Sequence, residues 1–339
     1  MARDLPSRWV KPVAGLLVTA TFVWLLLRGI DLRAVAASFA RFPPGYLLLA
    51  VLALAAAYAV RVVRWWLMLR ALEPGLPLSA CVWPFLTSVA VNNALPFRAG
   101  DALRVFGFRR QLRSPPIRVL GTLVVERLLD LLTLLGFFFL GLVGLPPGAF
   151  PDRFVTLSAW LAGGSLCAML ALIVLGPSLP AAVHVIADWP GIRGRGWSEA
   201  FRRRGIALAD ALRLLRAPAR LAILLGLSIV TWALEGAVFA VVGLVFDTGA
   251  TPRGPWFALP TATLATLLPS SPGYVGTFDY FAMLGLIAYG AAREAAVAFA
   301  LAVHAILWLP LTALGLGYLL WRGERFWRPP GAASVVTRE

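Results

Sequence analysis

Leu268-Pro-Ser-Ser-Pro-Gly-Tyr-Val-Gly-Thr-Phe-Asp279 lies between two apolar segments, Trp256–Leu267 and Thr277–Tyr289. Each segment is shorter than the roughly 20 apolar residues a spanning helix needs. Pro269, Pro272, Gly273 and Gly276 rule out a continuous helix across the join. A helix broken at membrane depth leaves backbone N–H and C=O groups that only neighbouring protein or a water-filled cavity can satisfy. Discontinuous helices of this kind build binding sites in transporters. A second phrase, Leu95-Pro-Phe-Arg-Ala-Gly100, shares the pattern Leu-Pro-x-x-x-Gly and also sits between apolar segments.

Composition sets the frame around these breaks. Of 339 residues, 60% are hydrophobic, against roughly 45–50% in a soluble domain. The chain therefore reads as an all-α polytopic membrane protein, one membrane domain over residues 1–339, with no polar stretch long enough for an appended soluble domain. The net charge of +15 is almost entirely arginine, with Lys11 the single lysine. In a membrane protein such charge fixes topology and meets anionic phospholipid headgroups, so no nucleic acid is expected as a partner. Cys81 and Cys167 lie in apolar segments and read as packing residues. Two histidines make a metal site unexpected, and no cofactor is expected.

Charge patterning orders the spans. Val13–Leu27 is a retained first helix, Tyr46–Leu72 the second span, and Ile117–Leu145 the third. Phe154–Leu175, Leu221–Phe246 and Ala295–Trp321 complete about six full spans. From Arg98 to Arg118 six arginines face one aspartate, and from Asp188 to Arg220 eight arginines face three acids, a net +5 in each. Both stretches should be cytoplasmic, as should both termini, in a cell (inner) membrane. Arg28–Arg41 is also net positive yet falls on the outside. The second span and the stretch from Arg98 then meet on one side, so Ala80–Leu95 must be a re-entrant half-helix. The stretch from Trp256 to Tyr289 re-enters from the opposite side. Six spans plus two oppositely oriented re-entrant pairs make residues 46–145 and 221–321 candidate inverted repeats. Between them, Phe201, Leu208, Leu212 and Leu215 recur at helical spacing among Arg202, Arg203, Arg204, Arg213 and Arg216, as in a helix lying on an anionic leaflet.

Several ionisable residues fall inside these segments, where they are costly and face partners or water. Arg61 and Arg64 share a helix face beside Trp65 and Trp66. They read either as arginines snorkelling to the interface or as a phosphate clamp. Glu126 and Asp130, four apart around Arg127, read as a structural ion network or as a proton- or cation-binding pair. Glu235 is a lone carboxylate near the centre of its span. His304 reads more readily as a satisfied structural group than as a proton relay.

Arg61-x-x-Arg64-Trp65, Asn93-Ala-Leu-Pro-Phe-Arg-Ala-Gly-Asp101, Glu126-Arg-x-x-Asp130 and Pro269-Ser-Ser-Pro-Gly-x-x-Gly276 together resemble the flippase-like membrane domain of lysylphosphatidylglycerol synthases. That domain also occurs alone in a broad family of bacterial and archaeal membrane proteins. Two departures stand out: the family usually has Gly-Gly at Gly273-Tyr274 and glutamate at Asp279. The resemblance implies a lipid translocase without the family's aminoacyl-transfer domain, related in some members to polyisoprenoid, glycolipid or hopanoid pathways. On this reading Arg61, Arg64 and Arg98 contact a phosphate or carboxylate, near Asp101. Asn92, Asn93, Ser270, Ser271 and Gly273 line the headgroup site, and Glu126, Arg127, Asp130, Glu235 and Asp279 balance charge or carry protons. No nucleotide loop, metal motif or nucleophile signature is present, so the chain is expected not to be an enzyme. An integral-membrane transferase on a lipid-linked substrate and a scaffold of a lipid-synthesis complex are the rival readings. The number of copies in the working assembly stays open.

Overall fold

The structure is a computed structural model, and it describes residues 17–40, 42–95, 98–175, 178–188, 198–212, 216–246, 248–268 and 270–322. Arg3, Arg8, Lys11, the start of the first expected span, Pro96, Phe97, Arg213, Leu215, Asp247, Pro269 and the basic tail lie outside the described residues.

Among the described residues the fold is all-helical, as expected. Four helices are long and apolar enough to cross a membrane: α3 (Pro44–Arg70), α8 (Asp152–Leu175), α11 (Pro218–Val245) and α14 (Arg293–Arg322). A further helix, α7 (Pro116–Leu142), matches α3 at 27 residues, about 40 Å of helix. It carries Arg118, Glu126, Arg127 and Asp130, which lower its apolar character. Helices α3, α7 and α11 each start on a proline in the first turn, where the missing N–H costs nothing.

The remaining elements are short. They are α1 (Leu17–Leu27), α2 (Leu32–Ala40), α4 (Ser79–Ala94), α5 (Ala99–Ala102), α6 (Arg109–Leu112), α9 (Leu179–Ala187), α10 (Ser198–Leu212), α12 (Arg253–Ala265) and α13 (Thr277–Ile287). The 16 residues of α4, 13 of α12 and 11 of α13 are half-helices. At the first break Arg98 takes a left-handed conformation (φ 53°), and a π-turn, Leu103–Gly107, joins α5 to α6. At the second, Gly273 (φ 73°), Tyr274 (φ 59°) and Gly276 (φ 82°) turn the chain into α13. A tyrosine there is sterically costly, so tertiary packing imposes the turn.

Helix α3 packs along α11 at the centre, with α4 against α14 and α7 against α12 on either side. α12 and α13 form a closely packed hairpin that leans on α14. The two breaks meet: a Cβ on Gly273 would lie 3.5 Å from the Asn93 carbonyl oxygen. One apolar core, including Phe138, Phe239, Phe257, Phe278 and Phe299, fills the bundle around α11–α14. A second, around Trp65, Met68, Phe85, Phe108 and Val125, fills the space between α3, α4 and α7.

The loops described sort into two ends. At one end Arg118 at the start of α7 bonds both Glu73 and Asp210. At the other, Arg293 donates to the carbonyls of Leu25 and Arg28, the Ala292 amide bonds Thr248, and Phe39 and Phe42 pack on Phe246. The segment Arg28–Arg41 contains α2.

Candidate functional site

The site begins with arginines that the helices cannot lift out of the bundle. Arg61 and Arg64 lie nine and six residues before the end of α3, about 14 and 9 Å along the axis. Arg64 is fully buried, at 0% exposure. It forms a two-pronged pair with Asp130 of α7 (2.7 and 3.1 Å) and donates to Ser228 of α11. Trp232 donates its indole N–H to the same carboxylate at 3.2 Å. The Arg61 guanidinium lies between the rings of Tyr58 and Trp232, 4.8 and 4.6 Å from their centres. It meets Glu235 of α11 at 2.7 Å. Both side chains of this ion pair are buried, 10% and 8% exposed. Shared-face spacing suggested that the two arginines act together. In the structure they take different partners: Arg64 is enclosed against Asp130 and Ser228, while Arg61 lies against Tyr58, Trp232 and Glu235.

The first break supplies the next layer. Asn92 and Asp101 bond reciprocally across it: the Asn92 amide donates to Asp101 (3.0 Å) and accepts the Asp101 backbone N–H (3.2 Å). Gly100 permits this closeness, since a Cβ there would overlap the Ser88 carbonyl. The π-turn carries Arg104 inward, to a two-pronged pair with Glu126 (3.1 and 3.2 Å). Arg127 reaches Glu126 at 3.2 Å and Asp101 at 3.6 Å, with 41% of its side chain exposed. Arg61, Arg64, Arg104 and Arg127 thus stand against Asp101, Glu126, Asp130 and Glu235, four cations and four carboxylates. Such pairs hold only with both partners present, because a lone buried charge is strongly unfavourable.

Sequence reasoning missed Arg104, Tyr58 and Trp232. Only the three-residue spacing of Asp101 and Arg104 pointed to one of them.

The second break is organised differently. Asp279 caps the start of α13 by accepting the Gly276 N–H at 2.8 Å, and its other oxygen lies 2.7 Å from Nδ1 of His304. Of the two roles expected for Asp279, balancing an arginine or carrying protons, its neighbour bears on the first: the partner is His304 of α14, not an arginine. Ser270 accepts a hydrogen bond from Thr277 (3.2 Å), and the Ser271 amide donates to Thr19 of α1 (3.0 Å). Helix α1 thus touches the second break at Ser271 and at Gly276, where an added Cβ would meet Val23 and Thr19. Asn93 donates to Thr312 of α14 at 3.0 Å. Arg98 is half-buried beside this junction.

The glycosyltransferase AglD of Haloferax volcanii is 27% identical to this chain over 322 residues. The match covers 86% of the chain but 52% of that relative, so the chain spans about half its length. The expectation that the chain is not an enzyme is overturned by this relative, whose name is that of a glycosyltransferase. Residues 13–315 match the family described as the lysylphosphatidylglycerol synthase TM region. With long apolar helices, the shared motifs and that match in place, this multi-pass membrane protein belongs to the lysylphosphatidylglycerol synthase transmembrane-region family.

Proposed function

We propose that this protein moves a lipid with a polar, anionic headgroup across its membrane. The observation that carries the reading is the charge-balanced cluster of four arginines and four carboxylates among the helices, three of each buried. Beside it, an apolar groove of about 480 Å³ runs between α3, α4 and α14, walled by Leu54, Tyr58, Val62, Val82 and Leu311. Tyr58 belongs to both, lining the groove and underlying Arg61. A lipid tail fits the groove, and its phosphate competes with Glu235 for Arg61. Because the cluster is neutral as built, an anion entering it is best accommodated with a proton on a carboxylate. Glu235, the carboxylate that gives up Arg61 to the incoming phosphate, suits that role.

The packing supports reading residues 46–145 and 221–321 as inverted repeats. The contact of α4 with α14 mirrors that of α12 with α7, around the central α3–α11 pair. The arginine-rich end is assigned to the cytoplasm of the inner membrane, and both termini with it.

The test is transbilayer movement of labelled anionic and isoprenoid lipids in proteoliposomes. Wild type should accelerate flipping, and Arg61→Ala, Arg98→Ala and Glu235→Gln should each remove at least 10-fold of that rate. Wild-type rates in all three variants would sink the assignment. A second reading rests on the relative's name: transfer of a sugar onto a lipid-linked acceptor. Mass spectrometry of the same vesicles, supplied with a sugar donor, would detect the glycosylated lipid and shift the assignment to it.

A further inference from the structure

A second cavity lies away from the ion cluster, at the arginine-rich end, where α10 packs across the first half of α7. Its volume is about 670 Å³. Arg109, from α6, and Arg203 and Arg204, from α10, line it together with an apolar wall of Phe106, Ile117 and Leu120. The three arginines are exposed, and among the described residues none has a carboxylate partner. Their neighbours behave differently: Arg118 pairs with Glu73 and Asp210, and Arg202 with Asp188 and Glu199. Acids are thus available on this surface and are used elsewhere. Phe106 is 64% exposed and Leu120 40% exposed, so the apolar wall opens outward instead of into the core.

Cations over an open apolar wall match one common ligand chemistry, a phosphate attached to hydrocarbon. A free phosphate would leave Phe106 and Leu120 without a partner, and an acidic peptide would match the arginines but not the exposed hydrocarbon beside them. We propose that this cavity binds the headgroup of an anionic phospholipid as a resident ligand, separate from the transported one. The phosphate sits among Arg109, Arg203 and Arg204, and an acyl chain lies over Phe106 and Leu120. The site has a direct route to the ion cluster. Phe106 belongs to the π-turn Leu103–Gly107, and that turn also holds Arg104 on Glu126. Single π-turns inside helices recur at functional positions. A lipid bound at Phe106 therefore steadies the segment that closes the first break.

The full chain, in a zwitterionic detergent–phosphatidylcholine background, is titrated with dioleoylphosphatidylglycerol, and retained lipid is counted by native mass spectrometry alongside the melting temperature. The triple variant R109A/R203A/R204A is compared with R110A/R216A/R220A, which removes the same charge from exposed positions outside the cavity. Wild type and the control should bind one lipid and gain several degrees in melting temperature. The cavity triple should bind at least 10-fold more weakly and gain nothing. Phe106→Ser should weaken lipid binding several-fold, and millimolar inorganic phosphate should not compete. Equal loss in both triples would reduce the effect to general charge and overturn the site. Displacement by inorganic phosphate, with Phe106→Ser unchanged, would make it a soluble-anion site instead. If the cavity triple melts below wild type without lipid, Arg204→Ala alone serves in its place, under the same criteria.

Discussion

Arg64 and Asp130 illustrate what a charge needs in order to stay inside this bundle. Their pairing is two-pronged, and Ser228 and Trp232 add one further bond each, to Nη1 of Arg64 and to Oδ1 of Asp130. Asp130→Asn removes the charge that neutralises a fully enclosed guanidinium. It should lower stability by about 3–5 kcal/mol, read as a lower denaturation midpoint in detergent. The double variant Arg64→Met, Asp130→Leu removes both charges at similar volume. It should recover most of that loss, and a double variant as unstable as Asp130→Asn would refute the pairing account. Arg118 is the contrasting case. Its side chain is 28% exposed and pairs with partners exposed by 24% and 26%, so Arg118→Ala should cost under about 1 kcal/mol.

The half-helices depend on small residues where they touch. A Cβ on Gly285 of α13 would lie 2.9 Å from the Ala258 Cα of α12, a backbone atom that cannot yield cheaply. Gly285→Val should therefore force the hairpin apart, costing about 1–3 kcal/mol or more, and should broaden the size-exclusion profile. Gly226 lies within α11 with nothing within 4 Å of the added Cβ. Gly226→Ala should raise stability by up to about 1 kcal/mol through helix propensity alone. Similar melting temperatures for the two variants would show that the α12–α13 approach does not limit stability. The breaks are a different kind of element: they were legible because proline and glycine carry backbone meaning wherever they occur. Their contact was not legible, since Gly273 and Asn93 are brought together only by α4 lying against the second break.

For the whole molecule, the grouping of loops into two ends makes a labelling prediction. In a variant lacking Cys167, a cysteine at Glu73 and one at Arg253 should react with a membrane-impermeant maleimide from opposite faces of sealed vesicles. Labelling of both from one face would contradict the bundle as described. The sequence by itself determined the class: hydropathy, arginine-rich stretches and four motifs established a helical membrane protein, its two breaks and its family. These are properties of composition and local spacing, which survive without knowledge of contacts. Tertiary structure decided the partners. Arg64 took Asp130, 66 positions away, while Arg61 took Glu235 and Asp279 took His304. A charge inside the membrane must find its opposite on whichever helix packs beside it, and helix packing is not written in the spacing of any one segment.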